Sequence, residues 1–434
     1  MFAMHTRATC QALDAADPLR PLRDLFALPA GTIYLDGNSL GVLPKVTPMR
    51  VAEVVQQQWG VGLIQSWNQA GWVDLPQRVG DKIARLIGAR PGEVVACDST
   101  SINLYKVLGH AIDMAKALRP QAKRVLSERS NFPTDLYIAQ ALCKQHGLTL
   151  QLVDSHELQA ALSPDVAVLM LTHVNYRTGA MHDMAALSAA AHAVGALAVW
   201  DLAHSAGAVP VDVYAAQADF AVGCGYKYLN GGPGAPAFVW VHPKHLQAAQ
   251  AAGTQFIQPL AGWWGHAAPF VFEPNYQAAA GISSYQCGTQ PIISMAALEC
   301  GVDTVLAAEP LGGMTALRTK SLALCTLFIE LINARCSGHG LTLVTPQDPA
   351  ERGSQVSLAR SEGGYAIVQA LIARGVVGDF RKGDGATQPD ILRFGLTPLY
   401  VGFEDVWHAV EHLRQVLETD EWERPEFNNQ QAVT

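Results

Sequence analysis

The stretch Ala221-Val-Gly-Cys-Gly-Tyr-Lys-Tyr-Leu-Asn-Gly-Gly-Pro-Gly234 runs from an apolar segment into a single lysine and then a glycine-rich turn. It closes a series. Upstream, short apolar runs at 94–96, 124–126, 148–153, 166–171, 196–200 and 220–222 alternate with helical patterns at 103–117, 135–146 and 184–194. Continuous apolar strands with helices between them predict an α/β fold, a mostly parallel sheet covered on both faces. In such sheets ligands sit outside the carboxyl ends of the strands. Lys227 stands at one of those ends, and a lysine hemmed by Gly225 and Gly231-Gly232 can have its amine desolvated, which suits covalent chemistry with a carbonyl. A surface lysine in a turn is the competing reading.

The composition narrows the class. A chain of 434 residues with 49% hydrophobic content can build a large core and more than one domain. A net charge of −8 with no dense Lys/Arg run argues against a nucleic-acid partner. The eight cysteines are scattered without metal-ligand spacing, so no metal is expected, and they read as reduced thiols of a cytoplasmic protein. The start lacks the apolar core of a signal peptide and no apolar run is long enough to cross a bilayer, so no membrane association is expected.

Outward from the sheet, residues 1–50 read as an N-terminal arm that joins a smaller domain and ends in a short strand and the turn Gly37-Asn-Ser-Leu-Gly41. Residues 51–300 read as the large domain. Within it, Trp67 and Trp72 line an aromatic pocket or anchor a core, and 235–290 reads as irregular, rich in Gly, Pro and aromatics. A long helical region from Ser294 to Ala334 leads into an α+β domain over 301–420, with strands at 341–344, 355–358 and 391–394 and helices at 365–374 and 404–417. A polar tail, 421–434, follows.

The strand ends, taken together, carry the chemistry. After 94–96 comes Cys97-Asp-Ser-Thr-Ser-Ile-Asn103, where Ser99, Thr100 and Ser101 open a helix and form either an N-cap or a phosphate cradle. After 124–126 comes Ser130-Asn-Phe-Pro-Thr-Asp135, which can set Phe132 against a flat ring with Asp135 at its polar edge. Thr172 follows 166–171, and Asp201-Leu-Ala-His204 ends 196–200. An aspartate at a buried strand end needs a cationic partner. A pyridinium nitrogen would be one, and an aspartate plus a lysine are the two protein groups that pyridoxal 5'-phosphate chemistry requires.

Asp201-Leu-Ala-His204, Gly225-Tyr-Lys-Tyr-Leu-Asn230, Phe132-Pro-Thr-Asp135, Gly37-Asn-Ser-Leu-Gly41 and Gly262-Trp-Trp-Gly-His266 closely resemble the kynureninases of bacterial type. These belong to the fold-type I, class V aminotransferase-like enzymes, and the matches run in order from about residue 33 to 400. The resemblance implies a large domain with a seven-stranded-type sheet, a smaller α+β domain, and a homodimer with shared active sites. It also implies hydrolytic cleavage of the Cβ–Cγ bond of L-kynurenine, and possible action on 3-hydroxykynurenine, in tryptophan catabolism on the kynurenine route to NAD. Carried over by position, it assigns Lys227 as the Schiff-base lysine, Asp201 and Tyr226 as catalytic, and Thr100, Ser101, Phe132, Pro133, Thr134, Asp135, Thr172 and His204 as cofactor contacts. Trp263 and Thr289 would reach the cofactor from the neighbouring chain. Arg393 would hold the substrate carboxylate, with Trp67, Asn38 and Ser39 beside the substrate; by its residues alone Arg393 also reads as a surface arginine pairing with Asp384 or Asp390. Trp67, which in animal relatives is typically His, and Thr289, where they carry Asn, imply a preference for the unsubstituted substrate.

Two other readings compete. One is another class V enzyme, an aminotransferase or a cysteine desulfurase. A desulfurase needs a nucleophilic loop cysteine, for which Cys287 is the nearest candidate, although it falls in a kynureninase-like stretch. The other is a non-catalytic scaffold, whose signature would be loss of the lysine or the aspartate. Neither is lost.

Overall fold

The structure is a computed structural model that describes residues 5–385 and 388–430, so the last four residues of the expected tail and the first four of the arm lie outside it. The arm supplies β1 (Ile33–Tyr34). The main sheet takes β2 (Val94–Cys97), β3 (Arg124–Glu128), β4 (Thr149–Val153), β5 (Val166–Thr172), β6 (Leu197–Asp201), β7 (Phe220–Gly223) and β8 (Ala237–Val241), in the spatial order β2-β8-β7-β6-β5-β3-β4. β8 runs antiparallel to both neighbours and every other pair is parallel. The result is a seven-stranded sheet, mostly parallel and helix-covered as the apolar runs predict.

Alternate side chains explain why both faces are covered. In β2, Val95 and Cys97 face the helices Thr100–Leu118 and Pro133–His146, while Val94 and Ala96 join the core beneath Leu75–Ile87 and Ile292–Leu306. Val168 and Met170 of β5 and Val199 of β6 point one way; Leu169, Leu171 and Trp200 point the other. With no face left to water, the strands read as unbroken apolar runs.

The expectation of irregular structure over 235–290 is corrected. Ala237-Phe-Val-Trp-Val241 is buried at every position and completes the sheet between β2 and β7, and a helix spans Pro243–Ala251. Pro236 and Pro243 bracket the run closely, and the Gly/Pro-rich surroundings mask it. The single long helix expected from Ser294 is two, Ile292–Leu306 and Gly313–Arg335, broken where Gly312 takes φ +104° and Gly313 φ +59°.

Beyond them, β9 (Thr342–Leu343), β10 (Gln355–Arg360), β12 (Asp379–Arg381) and β13 (Asp390–Gly395) form an antiparallel sheet in the order β12-β13-β10-β9. β1 pairs in parallel with β11 (Val376–Val377). The helix Arg7–Ala16 lies against Phe403–Glu418, whose first turn is capped by the Asp14 carboxylate accepting from the Phe403 and Glu404 amides at 2.7 and 2.8 Å. After Asp420 the chain stays docked: Phe427 is buried and Arg360 stacks over Trp422 at 4.5 Å.

Candidate active site

β6 and β7 are adjacent and parallel, so Asp201 at the end of one and the loop after the other emerge together. Lys227 is buried in that loop and its Nζ lies 2.9 Å from His204 Nε2. Burial above all, then the charges of Lys227 and Arg393, hold the His204 imidazole well below its ordinary value, so it is neutral and accepts from the lysine. The proton then sits on Nδ1, which is buried and faces the Gln355 side chain.

Asp201 and Asp135 form a second unit. The two carboxyls hydrogen-bond to each other, and burial, followed by the Asp201 charge, pushes Asp135 far up. Burial also raises Asp201, against the opposing effect of Lys227. One shared proton therefore resides on Asp135, while Asp201 accepts from it and from the Ala203 amide at 2.7 Å. The Thr172 hydroxyl lies 3.4 Å from Asp135 Oδ2 and bonds Asn131 Oδ1 closely. The Phe132 ring lies 5.8 Å from Lys227 Nζ and meets the Tyr176 ring edge-on at 5.2 Å. Pro133 and Thr134 begin the helix that carries Asp135.

At the other end of the site, β2 gives way to Asp98, at φ +47°, and Ser99 caps the helix Thr100–Leu118 by accepting from the Ile102 amide. Thr100 and Ser101 are only partly buried, at a helix N-terminus whose first amides have no intrahelical acceptor. A cavity of about 590 Å³ opens there, between Asp98, Ser99 and Thr100 on one side and Tyr226 and Leu40 on the other. A helix start for an anion, a buried carboxylate and a buried amine are what a phosphorylated pyridine aldehyde requires, and these residues fit it. A larger cleft of about 1130 Å³, lined by Glu128, His173, His182 and Asp212 among others, includes none of Lys227, Asp201, Tyr226 or Arg393.

Arg393 is a buried strand residue, not a surface one. It pairs with Asp379 through Nε at 2.8 Å and through Nη2, while Nη1 donates to the Tyr176 carbonyl at 2.6 Å and Nη2 to Ser39 Oγ at 2.6 Å. Asn38 is fully buried, with neither side-chain nitrogen nor oxygen partnered among the described residues. Trp67 packs on Trp72 and Trp264, with centroids at 5.6 and 5.0 Å, as one wall of an aromatic cluster. Trp263 and Thr289 are surface residues; the rings around Trp263 are Trp264, Phe270 and Phe272.

Several members of the site escape sequence reading. Asp379 and Arg381 alternate along β12 and so share a face, a pattern that could have flagged them. Asn131, Tyr176 and Asp36 carry no such signal.

A family profile for the kynureninase C-terminal domain matches residues 317–413. Kynureninase of Pseudomonas fluorescens is 54% identical over 434 residues, covering 99% of this chain and 100% of its own, and that of Burkholderia pseudomallei is 53% identical with the same coverage. Among solved structures, apo cysteine desulfurase from Thermococcus onnurineus aligns with a TM-score of 0.75 at 17% identity, covering 96% of this chain and 100% of that one. A cysteine desulfurase from Escherichia coli aligns at 0.72, again 17% identical, with 96% and 100% covered. At such identity they show the shared fold alone. Identity above half across the whole length decides the narrower question, and the chain belongs to the kynureninase family.

Proposed function

We infer that this chain is a pyridoxal phosphate enzyme that hydrolyses L-kynurenine to anthranilate and L-alanine. The observation that carries the reading is the meeting of Lys227 and His204, from the segments after the adjacent strands β7 and β6, beside Asp201 at the end of β6 and its hydrogen-bonded partner Asp135. The cofactor, when bound, supplies the electron sink that stabilises negative charge at the substrate Cα.

The chain's own groups do the rest. Ionised Asp201, backed by the proton on Asp135, keeps the pyridine nitrogen protonated. The helix start at Thr100 and Ser101 would hold the phosphate, and Phe132 and Thr172 would hold the ring. The Lys227 amine, once released, acts as the base at Cα. A water adds to the γ-carbonyl, the Cβ–Cγ bond breaks with its electron pair left at Cβ, Cβ takes up a proton to become the methyl group of L-alanine, and Cγ leaves as the carboxylate of anthranilate. Burial, reinforced by the charges of Cys224 and Asp201, holds the Tyr226 phenol protonated far above neutral pH, which suits it to return a proton. Arg393, with Asn38 and Ser39, takes the α-carboxylate. Trp67 gives the aryl group an apolar wall that disfavours a ring hydroxyl.

The reading includes a homodimer in the cytoplasm. Exposed Trp59, Ile64, Trp263, Phe270 and Phe272 supply apolar surface for a second copy, which would bring Trp263 and Thr289 to the neighbouring site. Free cysteines fit a reducing compartment. The division at about residues 50, 300 and 420 belongs to the same proposal. A desulfurase reading loses ground because Cys287, the loop candidate, is raised by burial and its thiol bonds the Leu260 carbonyl at 2.7 Å.

The test is an absorption spectrum before and after L-kynurenine, with anthranilate fluorescence followed in the same cuvette. A band near about 420 nm and growth of anthranilate are expected. A band without anthranilate would redirect the assignment within class V. Tyr226→Phe should slow turnover far more than it weakens cofactor binding; unchanged turnover removes its role.

A further inference from the structure

The register of the antiparallel sheet sets Asp379 of β12 directly opposite Arg393 of β13. Both side chains are buried, and the carboxylate spans the guanidinium edge, bonding Nε at 2.8 Å and Nη2 closely. Asp379 Oδ2 also binds Arg381 Nη2 at 2.7 Å. Burial opposes the Asp379 charge, but the two arginines hold it below its ordinary value and so ionised. The Ser39 hydroxyl completes the group, donating to Asp379 Oδ2 at 2.5 Å while accepting from Arg393 at 2.6 Å and Arg381 at 3.2 Å.

Donor accounting shows what is left. Of the five guanidinium N–H groups of Arg393, two go to Asp379, one to the Tyr176 carbonyl and one to Ser39. An incoming carboxylate can therefore meet Arg393 only at its Nη1/Nη2 end, where Ser39 now sits. Asp36 beside the group is pushed up to about 8, by burial first and then by the Asp379 charge. At neutral pH the two arginines and two aspartates thus carry one net positive charge, the complement of one carboxylate.

We propose that Asp379 is the positioning residue of the carboxylate subsite: by gripping Arg393 along one edge and Arg381 at one nitrogen, it aims both guanidiniums at one point, marked by the Ser39 hydroxyl, and leaves the remaining Nη1 N–H of Arg393 to meet the substrate carboxylate beside Ser39. The inference rests on the reading of Arg393 as the carboxylate-binding residue. A lone arginine could swing between partners. Gripped by Asp379, it meets the ligand in one orientation, without the ordering cost that a free side chain would incur on binding.

The test titrates holoenzyme with L-alanine and follows the cofactor absorption, with ethylamine, which lacks the carboxylate, as the second ligand. Asp379→Asn replaces one acceptor oxygen by an NH2 group that faces the arginine donors. It is expected to weaken L-alanine by about tenfold or more, to leave ethylamine within about twofold, and to raise KM for L-kynurenine more than it lowers kcat. Equal weakening of both ligands, or unchanged L-alanine affinity, overturns the proposal. Arg393→Lys separates it from its premise. If that variant binds L-alanine like the parent, the carboxylate reading of Arg393 has failed and the inference with it; if it weakens L-alanine and Asp379→Asn does not, only the role of Asp379 has failed. Should Asp379→Asn not fold, the partly exposed Arg381→Gln decides. A loss of about threefold or more for L-alanine alone supports the aimed pair, and no loss overturns it.

Discussion

At Gly41 the N-terminal arm touches the loop that carries Lys227, and an alanine there should disable the enzyme without removing any reacting group. The Gly41 amide donates to the Tyr226 carbonyl at 2.8 Å. A Cβ built on Gly41 meets the Lys227 carbonyl oxygen at 2.4 Å, Asn230 Oδ1 at 2.5 Å and Asn230 Cα at 2.7 Å, where ordinary contact begins at 3.4 Å. The shortfall is about 1 Å, and two of the three obstacles are backbone atoms of the loop itself. Either the arm retreats or the lysine backbone moves. A misplacement of about 1 Å at a reacting group costs about 100-fold in rate, and forcing one extra methyl into such packing costs about 1–3 kcal/mol of stability. Gly41→Ala, saturated with cofactor, is therefore expected to release anthranilate about 100-fold more slowly and to unfold at lower urea. Turnover within about threefold of the parent would refute the claim that the arm fixes the position of the lysine.

Three further outcomes are expected. Lys106 is fully buried and bonds Asp98 Oδ2 at 2.7 Å and the Tyr285 carbonyl at 2.5 Å, so Lys106→Met should cost about 2–4 kcal/mol in urea unfolding. Because Asp98 precedes the Ser99 cap, cofactor affinity should fall with it; a cost under about 1 kcal/mol would contradict this. Asp219 is buried, yet bonds from His192, His245 and the Ala198 amide outweigh burial and hold it well below the ordinary carboxylate value. Its contribution to stability is present above about pH 4 and lost as pH falls through the folded value, so Asp219→Asn should flatten the acid limb of a stability–pH curve. Asp36 carries the opposite sign: with a folded value near 8, its contribution is complete below about pH 4 and lost as pH rises to about 8. Asp36→Asn should remove that decline, and an unchanged slope between about pH 5 and 8 would mean that Asp36 is ionised in the folded protein.

Six of the seven main strands were legible because burial on both faces leaves an unbroken apolar run, and three of the runs were followed by a helix of the right period. β8 was not, because its five residues sit between prolines and its antiparallel direction breaks the alternation on which the reading relied. Lys227, Asp201 and His204 were readable since each follows directly from a strand end. The partners of Arg393 were not. Asp379 meets it through strand register 14 residues away, Ser39 through an arm more than 350 residues earlier, and Tyr176 through a backbone carbonyl that has no residue signature. What local pattern shows is a side chain's address; what it bonds is decided by tertiary pairing.

The direction of β8 also bears on how the protein is made. β2 has one neighbour in the sheet, and that neighbour lies about 140 residues downstream. While the chain is emerging from the ribosome, the strand that leads to Ser99 and Thr100 has no native partner until Ala237–Val241 has been synthesised, by which time Lys227 has already appeared. The start of the helix Thr100–Leu118 and the loop that carries Lys227 therefore acquire their native sheet connection only through β8, and a nascent chain halted before Ala237 would lack it.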